Sequence, residues 1–310
     1  MLINYFKTGW RYIRKRPFFP TVNVFGLAMG LAFTFLTAGF ILNEWRVNKD
    51  LKNIDQQYII QSKWKNRGDG NEFTTIGMLP KALYEHYPTL VANYYRVDGV
   101  TSTVTKDNNS FRETIAICDT SLLKMYGFKL LHGNPATAMR DPFTVLITEK
   151  QALKYFGKTD VTGQMLTIEN FSGDKHDFQI SGVIKTYNRN TVTGSNPMQP
   201  YEYFIPEINH AFFNRSMTWQ DTHMLGFIEA QPGVSKAQIE KAMAQLVKQN
   251  APPETAAAMT PFLAPLKSFY LKSNNRLAEK MIYALTGISI FILFMAVINF
   301  INISISRSAS

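Results

Sequence analysis

The chain has 310 residues, with 45% hydrophobic and 18% charged residues and a formal net charge of +10. That charge content is below the roughly 25% of soluble chains, yet a mean hydropathy of −0.12 is too polar for a chain lying wholly in a membrane. Aromatic residues at 13% exclude general disorder, and 18 Gly with one Cys exclude collagen-like and disulfide-scaffold classes.

Residues 1–19 carry Lys7, Arg11, Arg14, Lys15 and Arg16 and no acid. Ile3, Phe6, Trp10 and Ile13 recur at helical spacing beside Lys7, Arg11 and Arg14, which predicts a basic amphipathic helix lying on the cytoplasmic bilayer surface. The alternative is a plain positive-inside flank without a fixed helix. Pro17 and Pro20 are expected to end this element before the next begins. The run 22–42 has no charge and at about 1.5 Å per residue reaches roughly 31 Å, a bilayer core. A cleaved signal peptide has a shorter apolar run closed by a small-residue site, so an uncleaved anchor is expected. Gly26 and Gly30 form a GxxxG pair that predicts a helix-packing face, a weak signal by itself.

The region between the apolar runs alternates strand and helix signals. Strands are predicted at 57–63, 101–105, 111–118, 143–147, 165–168, 178–185, 224–230 and 261–271. The turn cluster Asp107-Asn108-Asn109 joins two of them as a hairpin. Helices are predicted at 78–87, at 120–126 with Asp119 as cap and Gly127 as stop, at 149–156, and after Ser235. Thr148 with Gln151 and Ser235 with Gln238 read as capping boxes, and Ile239, Met243 and Leu246 share one helix face. Cys118, in the apolar run TIAIC, reads as a buried thiol. The polar loop 186–200 is expected to be mobile. A second uncharged run, 281–303, is long enough to span with some tilt. Near its end Asn299 and Asn302 lie three apart and could hydrogen-bond another helix.

Catalytic signals are weak. Ala152-x4-Gly157-Lys158-Thr159 lacks the first Gly of a phosphate loop, and Gly157 closes a helix where that loop would open one. Glu207 with His210, and Asp221 with His223, read as chance surface pairs. No metal-ligand spacing, nucleophile motif or basic nucleic-acid stripe is evident, so no catalytic, metal or cofactor residue is assigned.

The opening FKTGWRYIRKRPFFPTVNVFGLAMGLA, the central LLHGNPATAMRDPFTVLITEKQALKYFGKTDVTGQMLTI and the closing INFINISISRSA carry a family pattern. Together they resemble the N-terminal half of a MacB/FtsX-type ABC transporter permease, in the large variants of Bacteroidetes-like bacteria. LKNIDQQYII is similar to that family's strand entry in degraded form, Tyr87-Pro88 matches its Y-P, and ISGVIKTYNRNT looks like its V-x-G-V … P-x-N-S.

The resemblance implies an α+β protein in which two transmembrane helices flank a mixed α/β extracytoplasmic domain with porter-like and inserted smaller lobes. The expected division is 1–19 cytoplasmic helix, 20–44 first span, 45–279 periplasmic core domain, 280–304 second span and 305–310 cytoplasmic. It further implies a multi-pass place in the cell inner membrane and ATP bound by a partner ABC ATPase, with no cofactor in this chain. A second permease protomer or second half, a periplasmic adaptor and the lipid bilayer are the other implied partners, with no nucleic acid. Relatives continue beyond the position of Ser310, so a fragment or truncated product is expected. A receptor that senses a ligand outside shares the span–domain–span layout and stands as the alternative; a membrane-anchored periplasmic enzyme is a third reading.

Overall fold

The computed structural model describes residues 18–65, 73–194 and 200–308. The predicted helix over 1–16, with Lys7, Arg11, Arg14, Lys15 and Arg16, lies outside the described residues, as does 195–199 of the polar loop. The chain divides into two compact units, one made of 1–45 with 271–310 and the other of 46–270.

The first unit is a helix pair. Helix α1 (Phe18–Arg46) begins earlier than Pro20 suggested, because a proline in a first turn removes no helical hydrogen bond. Its partner is the last helix, α7 (Leu266–Ser308), which is interrupted at 273–276 by non-helical backbone, with Asn274, Asn275 and Arg276 at positive φ. Both are long and apolar enough to cross a membrane, over Val24–Arg46 and Leu266–Asn302.

Among the described residues the second unit contains ten strands. Five of its helices are α2 (Leu79–His86), α3 (Leu122–Tyr126), α4 (Glu149–Phe156), α5 (Lys236–Asn250) and α6 (Pro253–Ala258). Strands β1 (Gln57–Trp64), β2 (Val91–Lys106), β9 (Leu225–Ala230) and β10 (Met259–Pro265) pair in the order β10-β1-β9-β2, all antiparallel. With α2 between β1 and β2, and α5 between β9 and β10, this is a split β-α-β-β-α-β unit. Ile60, Val91, Ile228 and Leu263 of the sheet bury against Leu79, Leu83, Ile239, Met243 and Leu246 of the helices. The Ser235 box is present, with Gln238 Oε1 accepting from the Ser235 backbone N–H at 2.9 Å.

The rest is inserted between β2 and β9. It comprises β3 (Asn109–Cys118), β4 (Leu130–Gly133), β5 (Thr144–Thr148), β6 (Met165–Glu169), β7 (Lys175–Ile184) and β8 (Tyr203–Pro206). The pairings β2-β3-β8-β5-β7-β6 return to β2, so six strands close a ring, with β3 paired to β2 alone over residues 109–114. Alternate residues of every strand fill it, among them Val100, Val104, Ile115, Ile117, Ile147, Ile168, Phe178 and Tyr203. Strand β2 is long enough to serve both sheets. Its first part pairs with β9, and its second part continues into the hairpin with β3, from Val97↔Cys118 to Lys106↔Asn109.

Several expectations need correction. Asp119 does not cap α3; Ser121 holds that position, while Gly127 stops the helix at φ 76° as expected. The Thr148 box is half formed: the hydroxyl accepts from Gln151 N–H, but the Gln151 side chain takes the Tyr203 hydroxyl instead. The strand predicted at 261–271 ends at Pro265, where α7 starts. Of the loop expected to be mobile, Thr186 and Asn188 are exposed, but Asn190, Thr191, Val192 and Thr193 are buried, where the Asn190 side chain caps the turn through the Val192 and Thr193 N–H groups. Cys118 is a buried free thiol.

Candidate functional site

Three constellations carry the polar and packing chemistry. The first is the seam of the helix pair. A Cβ added to Gly30 would come within 2.9 Å of Ala296 Cβ, and one on Gly26 within 3.8 Å of Asn299 Nδ2. The order of these contacts makes the helices antiparallel. Gly30, Thr37 and Glu44 are buried seven apart on α1, and Ile282 and Ser289 seven apart on α7, the spacing of a left-handed helix seam. The hydroxyls of Thr34, Thr37 and Thr286 are satisfied within their own helices by carbonyls four residues back, whereas the buried Ser289 hydroxyl has no hydrogen-bond partner among the described residues. Asn302 is exposed.

The second is a knot in the larger unit, built on Asn48. This fully buried residue sits at φ 69°, two positions after α1 ends, a conformation asparagine tolerates. Its Nδ2 donates to Leu266 O, the first residue of α7, at 2.7 Å. Its Oδ1 accepts from Thr191 N–H at 2.7 Å and from the Thr191 hydroxyl at 3.1 Å. One side chain therefore ties the segment after α1, the start of α7 and the 186–194 loop.

The third is a buried ionic cluster on β2, between the core of the split unit and the core of the ring. Arg96, 2% exposed, forks onto Asp119 with Nε–Oδ2 2.8 Å and Nη2–Oδ1 2.7 Å. It also donates to Gly77 O, to Met217 Sδ and to the Glu207 carboxylate. A Cβ on Gly77 would come within 2.6 Å of Met224 Sδ and 3.0 Å of Met217 Cγ, so a side chain there would have to displace the methionines beside the arginine. Two residues on, Asp98 takes a second fork from Arg215 at 2.7 and 2.9 Å, with His223 Nε2 3.3 Å away.

Burial, then the hydrogen bond and charge of Asp119, push the Glu207 carboxyl up to about 7 against the pull of Arg96. Burial would raise Asp98, but the bonds from His223 and Arg215 outweigh it and hold its carboxyl low. Burial lowers His210, whose Nδ1 lies 2.6 Å from Glu207 O. The sequence reading of Glu207–His210 and Asp221–His223 as chance surface pairs is thus corrected, since Glu207, His210 and His223 belong to this cluster. Asp221 closes a local turn through Thr218 and Ser216. Arg96 and Asp98 went unassigned; their signal was two opposite charges alternating with Tyr95 and Val97 on a strand. Among the described residues no group of three or more His, Cys, Asp or Glu stands together as a metal set.

The fold and these junctions define a class: a membrane protein with a mixed α/β domain held between two span-length helices. The sequence profile of the MacB-like periplasmic core domain matches residues 21–246, and the chain belongs to that family, a component of ABC transporter permeases. Among solved structures, a domain assigned to a permease protein of Porphyromonas gingivalis aligns with TM-score 0.54 and 20% identity, covering 69% of this chain and 92% of that one. The periplasmic region of MacB from Actinobacillus actinomycetemcomitans aligns with TM-score 0.50 and 13% identity, covering 73% and 98%. At these identities the likeness is one of fold. Comparison with curated protein sequences gives no match.

Proposed function

We propose that this chain is a permease unit of an ABC transporter of the mechanotransmission type, which carries ATP-driven motion from the cytoplasm to its α/β domain for export or extraction. ATP is hydrolysed by a partner ATPase, and this chain has no catalytic step of its own. The helices cross the cell inner membrane, the domain lies in the periplasm, and a second protomer or second half completes the unit with a periplasmic adaptor. The observation that carries the reading is the Asn48 knot: the segment leaving α1 and the segment entering α7 hold the same buried side chain. A pull on either helix reaches one point of the domain, where packed elements have discrete arrangements. The uncharged runs 22–42 and 281–303 support it further, since neither offers a polar path through the bilayer. The test is a flexible Gly/Ser insertion after Leu271 in the assembled transporter. Transport is expected to be lost while folding and ATP hydrolysis persist; retained transport would rule out the lever.

A further inference from the structure

The chain segment leaving α1 forms one wall of a cavity of about 210 Å³, which is also lined by Tyr126, Phe128, Lys129, Lys185, Tyr187 and Arg189. Lys185 N–H donates to Lys129 O at 2.9 Å, which sets the two lysines side by side at the end of the β4–β7 ladder. Like charges facing each other across a ladder repel. Neither lysine has an ion-pair partner among the described residues. Of the neighbouring carboxylates, Asp50 takes the Asn188 amide at 2.5 Å, and Glu149 takes the Thr186 hydroxyl and N–H while also lying in the field of Lys185. Arg189 reaches the same space with its guanidinium 5.8 Å from the Tyr270 ring centroid. The same lining is aromatic in part, with Phe128 and Tyr187 rings 4.9 Å apart. Two lysines without an ion pair, with a guanidinium near them and aromatic rings in the same lining, match a phosphate joined to a glyceride.

Covalent reach sets where such a ligand comes from. Asp50 follows Arg46, the last residue of α1, by four positions. Four extended residues cover at most about 14 Å, so the cavity wall starts within reach of the headgroup layer at the end of the span.

We propose that this cavity binds the phosphate headgroup of an anionic phospholipid of the outer leaflet, with Lys129, Lys185 and Arg189 holding the phosphodiester and Phe128 and Tyr187 lying along the glycerol. The proposal rests on the topology proposed above. The site would fasten the domain's membrane-proximal loops to the bilayer beside the Asn48 knot, since Arg189, Asn190 and Asn48 share both.

The experiment uses the full chain in phosphatidylcholine proteoliposomes containing a phosphatidylglycerol with a photoactivatable headgroup, and maps the labelled peptides. Label is expected on 126–129 and 185–190. It should fall roughly thirtyfold in the Lys129→Gln/Lys185→Gln variant, the factor that two lysines at an anionic surface supply. Both side chains are exposed, and an unchanged melting midpoint would verify that this variant is folded. Equal labelling by a phosphatidylcholine probe, or undiminished labelling in the variant, would overturn the assignment. Competition by inorganic phosphate would make the occupant a free anion and overturn the lipid. Absent label, while Asn109→Cys reacts with an impermeant reagent in intact cells, would overturn the lipid site alone. An unreactive Asn109→Cys would overturn the topology and this site with it.

Discussion

Arg96 is a full charge taken out of water, and its partners decide whether that is tolerable. Asp119 supplies a planar match for the guanidinium, and Gly77 O and Met217 Sδ take remaining donors. Truncating Arg96 to Met leaves Asp119 buried without its partner, which costs about 3–5 kcal/mol in such settings. Urea unfolding of the full chain in detergent should show the unfolding free energy fall by that amount, and a change within error would mean water already reaches the cluster. Glu207 makes a separate prediction about pH. Its carboxyl is pushed from an ordinary 4.5 up to about 7, so the folded state holds the proton more tightly than the unfolded chain. Its contribution to stability is present below about 4.5 and is lost as the pH rises through about 7. Asp98 runs the other way, because its carboxyl is lowered: its contribution is present above 3.8 and disappears as the pH falls below it. Glu207→Gln should therefore flatten the stability profile between about 4.5 and 7 and leave the acid limb unchanged.

Helix α1 and helix α7 meet where side chains are smallest. In lipid no hydrophobic force joins two apolar helices, so close backbone approach must supply the attraction. Gly30 is tight against Ala296 and Gly26 is in ordinary contact with Asn299, so the two glycines are unequal. Gly30→Leu should lower the detergent unfolding midpoint of the helix pair more than Gly26→Leu, and equal effects would mean the pair adjusts by sliding. At the other end of the pathway, Asn48→Ala removes three bonds and leaves the Thr191 N–H and hydroxyl without this partner in a buried site. Each orphaned group costs about 1–3 kcal/mol. Hydrogen exchange at Thr191 should quicken markedly in that variant, whereas exchange in the ring strands β5 and β7 should not.

At the scale of the whole molecule, the split β-α-β-β-α-β unit and the ring share β2, and the ionic cluster sits on β2 where they join. A motion that shears the two cores past each other must cross Arg96 and Asp98, so these pairs are the natural brake on it. The topology is tested independently of any motion. Asn109→Cys, at the tip of the β2–β3 hairpin, should react with an impermeant thiol reagent in intact cells, and Thr8→Cys should not. The reverse labelling would invert the protein and overturn the proposed coupling.

The apolar runs, the β2–β3 hairpin, the Gly127 stop and the amphipathic face of α5 were legible from sequence because each depends on neighbours within a few residues. Hydrophobic period, turn chemistry and caps are local, and the quoted family motifs extended them to the whole fold. The 186–200 loop looked mobile because its residues are polar, yet Asn48, distant in sequence, holds Thr191 in a buried stretch at 190–194. The short strands β4 and β8 escaped because four residues carry no period of their own; their pairing to β7, β3 and β5 makes them strands. Asp119 was read as a helix cap, and Glu207 as a surface acid, because sequence reports a side chain's chemistry but not the cation it will face. By itself the sequence determined the two uncharged runs, the mixed α/β domain between them and the family. Only the tertiary structure decided the closure of the ring, the burial of Arg96 and the role of Asn48, since each depends on contacts between residues far apart in the chain.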